Sequence, residues 1–121
     1  MVNYVEVGAL NWDKEVSKSD TLTVVYFWHT ECPWCLRLNP IFNEITEEYK
    51  DKIKFTKLNI LADMNNREIA STLGVMSTPT LGFFCRGRPV GQTMGFMSRD
   101  QLQKVLNDML QRYRTCLLQS S

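Results

Sequence analysis

Residues Thr21–Trp28 (TLTVVYFW) carry no charge and are dense in β-branched and aromatic side chains. An apolar run of this length reads as a strand buried on both faces, as in the middle of a parallel sheet. It leads directly into His29-Thr30-Glu31-Cys32-Pro33-Trp34-Cys35, and a helix-like run from Leu36 to Lys50 leads out. Two cysteines separated by two residues at a strand-to-helix junction fit a pair of thiols that exchange electrons with other thiols.

The rest of the chain supplies sheet and cover for that junction. Asn3 to Val7 alternates as a short strand. A short helix is expected from Asn11 or Trp12 to about Ser17, with Asp13 and Glu15 in its first turn, where the helix dipole favours acids. Lys18-Ser19-Asp20 reads as a turn. After the cysteines, Leu38, Ile41, Phe42, Ile45 and Tyr49 recur at helical spacing, with Pro40 inside the pattern and expected to kink it. Lys52 to Ile60 alternates as a strand, with Ile53, Phe55 and the stem of Lys57 on one face. Ala62 to Leu73 reads as a helix capped by Asp63 or Asn65 and stopped by Gly74. Thr80–Cys85 and Pro89–Phe96 read as an antiparallel hairpin joined by Arg86-Gly87-Arg88. The last helix is expected over Ser98–Arg112. Ser98 and Gln101 form a capping box, and Leu102, Val105, Leu106, Met109 and Leu110 form the apolar face. The order β-α-β-α-β-α-β-β-α begins as parallel α/β and ends as a hairpin, so the sheet is expected to be mixed.

A chain of 121 residues holds one core, read here as a single domain over 1–112 with a tail over 113–121. Hydrophobic residues at 44% and charged residues at 22% fit an ordinary soluble globular protein. The net charge of +1 gives no reason to expect nucleic acid, an anionic membrane surface or an acidic substrate. No window approaches the roughly 20 apolar residues of a membrane span. The first residues, MVNYVEVGAL, lack the basic start of a signal peptide, although an excised leader stays open. Four cysteines are too few for a disulfide-stapled scaffold. Cys85 reads as a buried small hydrophobe and Cys116 as a tail thiol able to form intermolecular disulfides. Two such single thiols fit a reducing cytosol, so the expected location is cytoplasmic, with an extracytoplasmic one open.

Only a thiolate attacks a disulfide. Cys32 stands where the strand ends and the helix begins, and Pro33 suits the first helical position because it has no N–H to leave unsatisfied. Free N–H groups of the first turn would then face the Cys32 sulfur and, with the helix dipole, favour its ionisation. Cys35, one turn further in, is expected to be more buried and to keep its proton longer. The division of labour follows: Cys32 attacks, and Cys35 resolves the mixed disulfide. The alternative, half of a zinc site, needs two further ligands, and only the scattered His29, Cys85 and Cys116 remain.

At this point the chain resembles the thioredoxin family over about residues 11 to 112. Four stretches carry the likeness: Val24-Val25-Tyr26-Phe27-Trp28; Cys32-Pro33-Trp34-Cys35 with Pro40; Lys57-Leu58-Asn59-Ile60; and Gly74-Val75-Met76-Ser77-Thr78-Pro79-Thr80. Gly87 and Gly95 match the family's hairpin and late-strand glycines. The resemblance implies an α/β thioredoxin fold, a central mixed sheet of about five strands flanked by about four helices. It implies a cis Thr78–Pro79 bond beside the sulfurs, with the Thr78 backbone pairing with a bound substrate strand. Trp28, Pro33, Trp34 and Gly95 complete the implied substrate surface, although Trp28 also suits plain core.

The departures from the family pattern bear on reactivity. Glu31 replaces an aromatic residue before the first cysteine and opposes ionisation of Cys32. Pro33-Trp34 replaces Gly-Pro and is closer to glutaredoxins. Tyr26 stands where a buried Asp usually helps take the proton from the second cysteine, and it reads as core packing rather than a relay. Lys57 thereby loses its partner. The favoured reading bends it towards solvent, inert; the other has its charge favour a thiolate on Cys35. His29 reads as a bystander unless it faces the Cys32 sulfur.

The expected function is a thiol-disulfide oxidoreductase acting on protein disulfides, with an upstream thiol reductase or oxidant, no metal or organic cofactor, and a monomeric state. A glutaredoxin-like, glutathione-linked reductase is one alternative, weakened because Met94-Gly95-Phe96-Met97 stands where glutaredoxins carry Gly-Gly. A redox-inactive binding module of the same fold is the other, weakened by retention of both cysteines and Pro79.

Overall fold

The computed structural model describes residues 3–113 and Cys116. Its centre is β2 (Thr23–Trp28), the strand read from the uncharged run. β2 pairs in parallel with β3 (Lys54–Asn59) on one side and antiparallel with β4 (Thr80–Cys85) on the other. β1 (Val5–Glu6) lies parallel outside β3, and β5 (Arg88–Met94) antiparallel outside β4, giving the order β1-β3-β2-β4-β5. This is the mixed five-stranded sheet of the thioredoxin fold that the resemblance implied.

Side-chain alternation along β2 divides the core into two layers. Val24 and Tyr26 join Leu38, Phe42 and Ile45 of α1 (Pro33–Tyr49) and Leu102, Leu106 and Met109 of α3 (Arg99–Tyr113). Val25 and Phe27 point the other way, into a smaller cluster with Val16, Leu58 and Ala70 of α2 (Met64–Thr72). A wide helical turn over Asp13–Ser17 is the fourth helical element, its Lys18 N–H reaching the Asp13 carbonyl.

Several elements end where their chemistry indicated. Asp63 caps α2 by accepting from the Asn66 N–H at 2.8 Å, and Gly74 leaves the helix at φ +76°. The Ser98 hydroxyl accepts from the Gln101 N–H while Gln101 Oε1 accepts from the Ser98 N–H, a reciprocal capping box. α1 runs on through Pro40.

Other expectations need correction. The hairpin link is two residues, not three: Arg86 and Gly87 both have positive φ, a turn whose twist matches the strands, and Arg88 already pairs with Cys85. β5 ends at Met94, before Phe96, and β1 spans only Val5–Glu6. Lys57 does not bend to solvent; it is 5% exposed on the α1 side of the sheet. Cys85 and Cys116 are not single thiols but bonded to each other, with Cα atoms 5.7 Å apart. Cys116 is therefore buried, and α3 takes in Tyr113, so the tail does not begin at 113. The other residues of that expected tail lie outside the described residues.

Candidate active site

Two neighbouring strand ends and one helix start build the site. β2 ends at Trp28, and α1 begins at Pro33 with Cys32 as its N-cap. Cys32 keeps an extended backbone (φ −97°, ψ 108°), and its sulfur accepts from the Cys35 N–H at 3.2 Å. One of the unpaired amides of the first helical turn thus points at the Cys32 sulfur, where negative charge is favoured. Cys32 and Cys35 are bonded, with Cα atoms 5.2 Å apart. Cys32 is 6% exposed and Cys35 fully buried, so an incoming group reaches Cys32 first.

The register brings a second segment to the same end of the sheet. Thr80 pairs with Phe27, so the preceding Ser77-Thr78-Pro79 loop lies level with the end of β2. The Thr78–Pro79 bond is cis, and Pro79 is buried. The Pro79 carbonyl accepts from the Gly95 N–H at 2.8 Å, and Thr80 Oγ1 donates to the Ser77 carbonyl at 2.7 Å. Gly95, at φ +92°, is thereby tied to this loop. Around it the surface is apolar. Trp34 is 53% exposed and packs on Phe96 at 5.6 Å, with the Arg37 guanidinium over its ring; Met76 and Met94 are also exposed. Pro33 is exposed at the helix start.

Below the sulfurs lies a buried polar chain. Tyr26 Oη is 3.1 Å from the Cys35 carbonyl oxygen and 2.8 Å from Asn39 Oδ1, two acceptors for its one proton. Burial pushes the Tyr26 phenol far above its ordinary pKa, so it stays a donor. Lys57 Nζ donates to the same Asn39 oxygen at 3.4 Å. The ammonium sits over the Trp28 ring at 4.2 Å, the Tyr4 ring at 5.0 Å and the Tyr26 ring at 5.3 Å. Such faces attract a cation. Burial nevertheless lowers the Lys57 pKa, partly offset by Glu6, and no carboxylate pairs with it among the described residues.

His29 and Glu31 stand apart from that chain. The His29 Nδ1 accepts from the Glu31 N–H at 3.2 Å, a local turn contact, and the Glu31 side chain is exposed. Trp28 is half-buried as the lid of the Lys57 cage, and its indole N–H has no partner among the described residues. Sequence reasoning missed Asn39, Tyr4 and Phe96. Asn39 was accessible, because it lies four residues after Cys35 on one helix face. Tyr4 and Phe96 come from distant segments and carried no local signal. Among the described residues no three His, Cys, Asp or Glu side chains converge as a metal site, and no helix is long and apolar enough to cross a membrane.

Comparison with known proteins agrees with this geometry. A family model described as Thioredoxin matches residues 3–108. Over 98 residues the chain is 37% identical to a thioredoxin of Alicyclobacillus acidocaldarius subsp. acidocaldarius, covering 81% of this chain and 90% of that one. It is 34% identical over 98 residues to a thioredoxin of Rickettsia bellii, with the same coverage. Over 105 residues it is 34% identical to thioredoxin 1 of a Nostoc species, covering 87% of this chain and 95% of that one.

Proposed function

This chain belongs to the thioredoxin family and is a protein-disulfide oxidoreductase, and from that premise we propose that Cys32 is its attacking thiol and Cys35 its resolving thiol. The observation that carries the assignment is the Cys35 N–H directed at the Cys32 sulfur at the start of α1. In the reduced enzyme the Cys32 thiolate attacks one sulfur of a substrate disulfide. The substrate S–S bond breaks, a mixed disulfide forms, and the departing thiolate takes up a proton. Cys35 then gives up its proton and attacks the Cys32 sulfur, which closes the Cys32–Cys35 bond and frees the second substrate thiol. Two electrons pass to the substrate, and a thiol-reductase partner returns them.

The substrate strand lies along Thr78 and Pro79, between Gly95 and the Trp34 and Phe96 rings, with Pro33 at its edge. The exposed apolar rim, rich in flexible methionines, supports that placement. The site is complete within one chain, which supports a monomer; sedimentation as a dimer would contradict it. The expected cytoplasmic location rested on two unpaired thiols. With Cys85 bonded to Cys116, that ground is withdrawn.

The enzyme is also less reducing than thioredoxins, which stand near about −270 mV. The Lys57 ammonium, which no carboxylate pairs among the described residues, shares the Asn39 oxygen with Tyr26, whose hydroxyl lies 3.1 Å from the Cys35 backbone carbonyl; a positive charge buried there favours the thiolate form. Stabilising the reduced state raises the potential. The assay for the assignment is insulin reduction by the wild type and by Cys32→Ser. Turnover in the wild type and none in the variant is the expected result; equal rates would overturn it.

A further inference from the structure

We propose that Cys85–Cys116 is a second disulfide site with a role outside catalysis, a cystine that stays closed through the catalytic cycle and fastens the helical residue Cys116, three residues after Tyr113, to the sheet. Its position separates it from the redox pair. β4 runs antiparallel to β2, with Phe84 opposite Thr23, so Cys85 lies beside the start of β2. Cys32 follows the other end of β2. Six residues of strand, at about 3.3 Å each, keep the two cystines roughly 20 Å apart. Cys32 therefore does not reach Cys85 or Cys116 of its own chain.

The surroundings of the two pairs differ in the features that govern exchange. Cys32 has a helix N-terminus and an amide donor at its sulfur. Cys85 is the last residue of a fully buried strand, and Cys116 is itself helical and buried, three residues after Tyr113, with no amide donor at its sulfur among the described residues. Both are buried, at 2% and 3% exposure, so neither sulfur presents a face to an incoming thiolate. Disulfide exchange depends on such access and on the thiolate fraction. A second contact fastens the same end of α3: Tyr113 Oη donates to the Val90 carbonyl of β5 at 3.3 Å.

The bond spans 31 residues of sequence, enclosing β5 and α3, and constrains the unfolded chain by closing that loop. It forms when the two thiols lose two electrons and two protons to a disulfide oxidant, such as a small-molecule disulfide, whose own S–S bond opens to two thiols. Bonds of this kind persist where oxidants, rather than thiol reductants, dominate.

The test follows accessibility in the full chain, purified without reductant. Samples are treated with dithiothreitol under native conditions or in denaturant, alkylated, and weighed intact. Native treatment is expected to open only Cys32 and Cys35, with Cys85–Cys116 opening more than about tenfold more slowly until denaturant is added. Alkylation of Cys85 or Cys116 without reductant would overturn the proposal, as would opening of both pairs at one rate. Cys116→Ser is expected to lower the Tm by about 10 °C with its insulin-reduction rate unchanged. An unchanged Tm would overturn the fastening role, and the wild-type alkylation pattern decides the matter should the variant fail to fold.

Discussion

An ammonium that no carboxylate pairs among the described residues lies near the redox pair, held by three aromatic rings and the Asn39 oxygen. Its burial has two measurable consequences. Lys57→Met keeps the stem and removes the charge, so the thiolate loses support and the potential falls, by roughly 10–30 mV at 1.4 kcal/mol per 30 mV. Equilibration with a glutathione or dithiothreitol redox series reads that shift; an unchanged or higher potential would sever Lys57 from the sulfurs. The second consequence is in stability. The folded pKa of Lys57 lies below its ordinary 10.5 because burial disfavours the charged form. Below the folded value both states carry the proton, and the folded state bears the cost of burying it. As pH rises from the folded value towards 10.5, the folded protein has released a proton that the unfolded chain still binds, so this group raises stability across that window. Urea titrations at a series of pH values show the rise in the wild type and its loss in Lys57→Met. The pair Cys32 and Cys35 stood out by its spacing together with its place between a strand and a helix, and the structure bonds the two there. The fate of Lys57 was not legible, because the strand pattern gave its face while its cover comes from Tyr4, Trp28 and Asn39, on three separate segments.

At the scale of elements, short-range chemistry carried most of the reading. The capping box at Ser98 was legible because both partners lie within four residues, and the structure forms it in full. Ser98→Ala is expected to cost about 1 kcal/mol by denaturant titration, whereas no loss would make the cap ornamental. The hairpin turn was legible as a turn but not in its length. This two-residue turn has positive φ at both positions, and Arg86 gives no hint of adopting it. Gly87, at φ +83°, is further confined because a Cβ there would lie 2.9 Å from the Ser17 Cα. Gly87→Ala therefore costs about 1–3 kcal/mol. Thermal melts reading an unchanged Tm would show that the turn relaxes freely.

On the scale of the whole molecule, the order of elements pointed to a mixed sheet, and family resemblance supplied the fold. The pairing of Cys85 with Cys116 was invisible, because a separation of 31 residues says nothing about which strand end meets which helix end. The sheet places the redox pair at one end of β2 and this second cystine at the other, so reactivity and fastening are divided between its two ends. The central claim, that Cys32 attacks and Cys35 resolves, is tested most directly by trapping. Reduced Cys35→Ser, mixed with a protein disulfide such as insulin and weighed intact after quenching with acid, is predicted to accumulate a covalent adduct mapping to Cys32 and released by dithiothreitol. Absence of the adduct, or its attachment to Cys85 or Cys116, would contradict that division of labour.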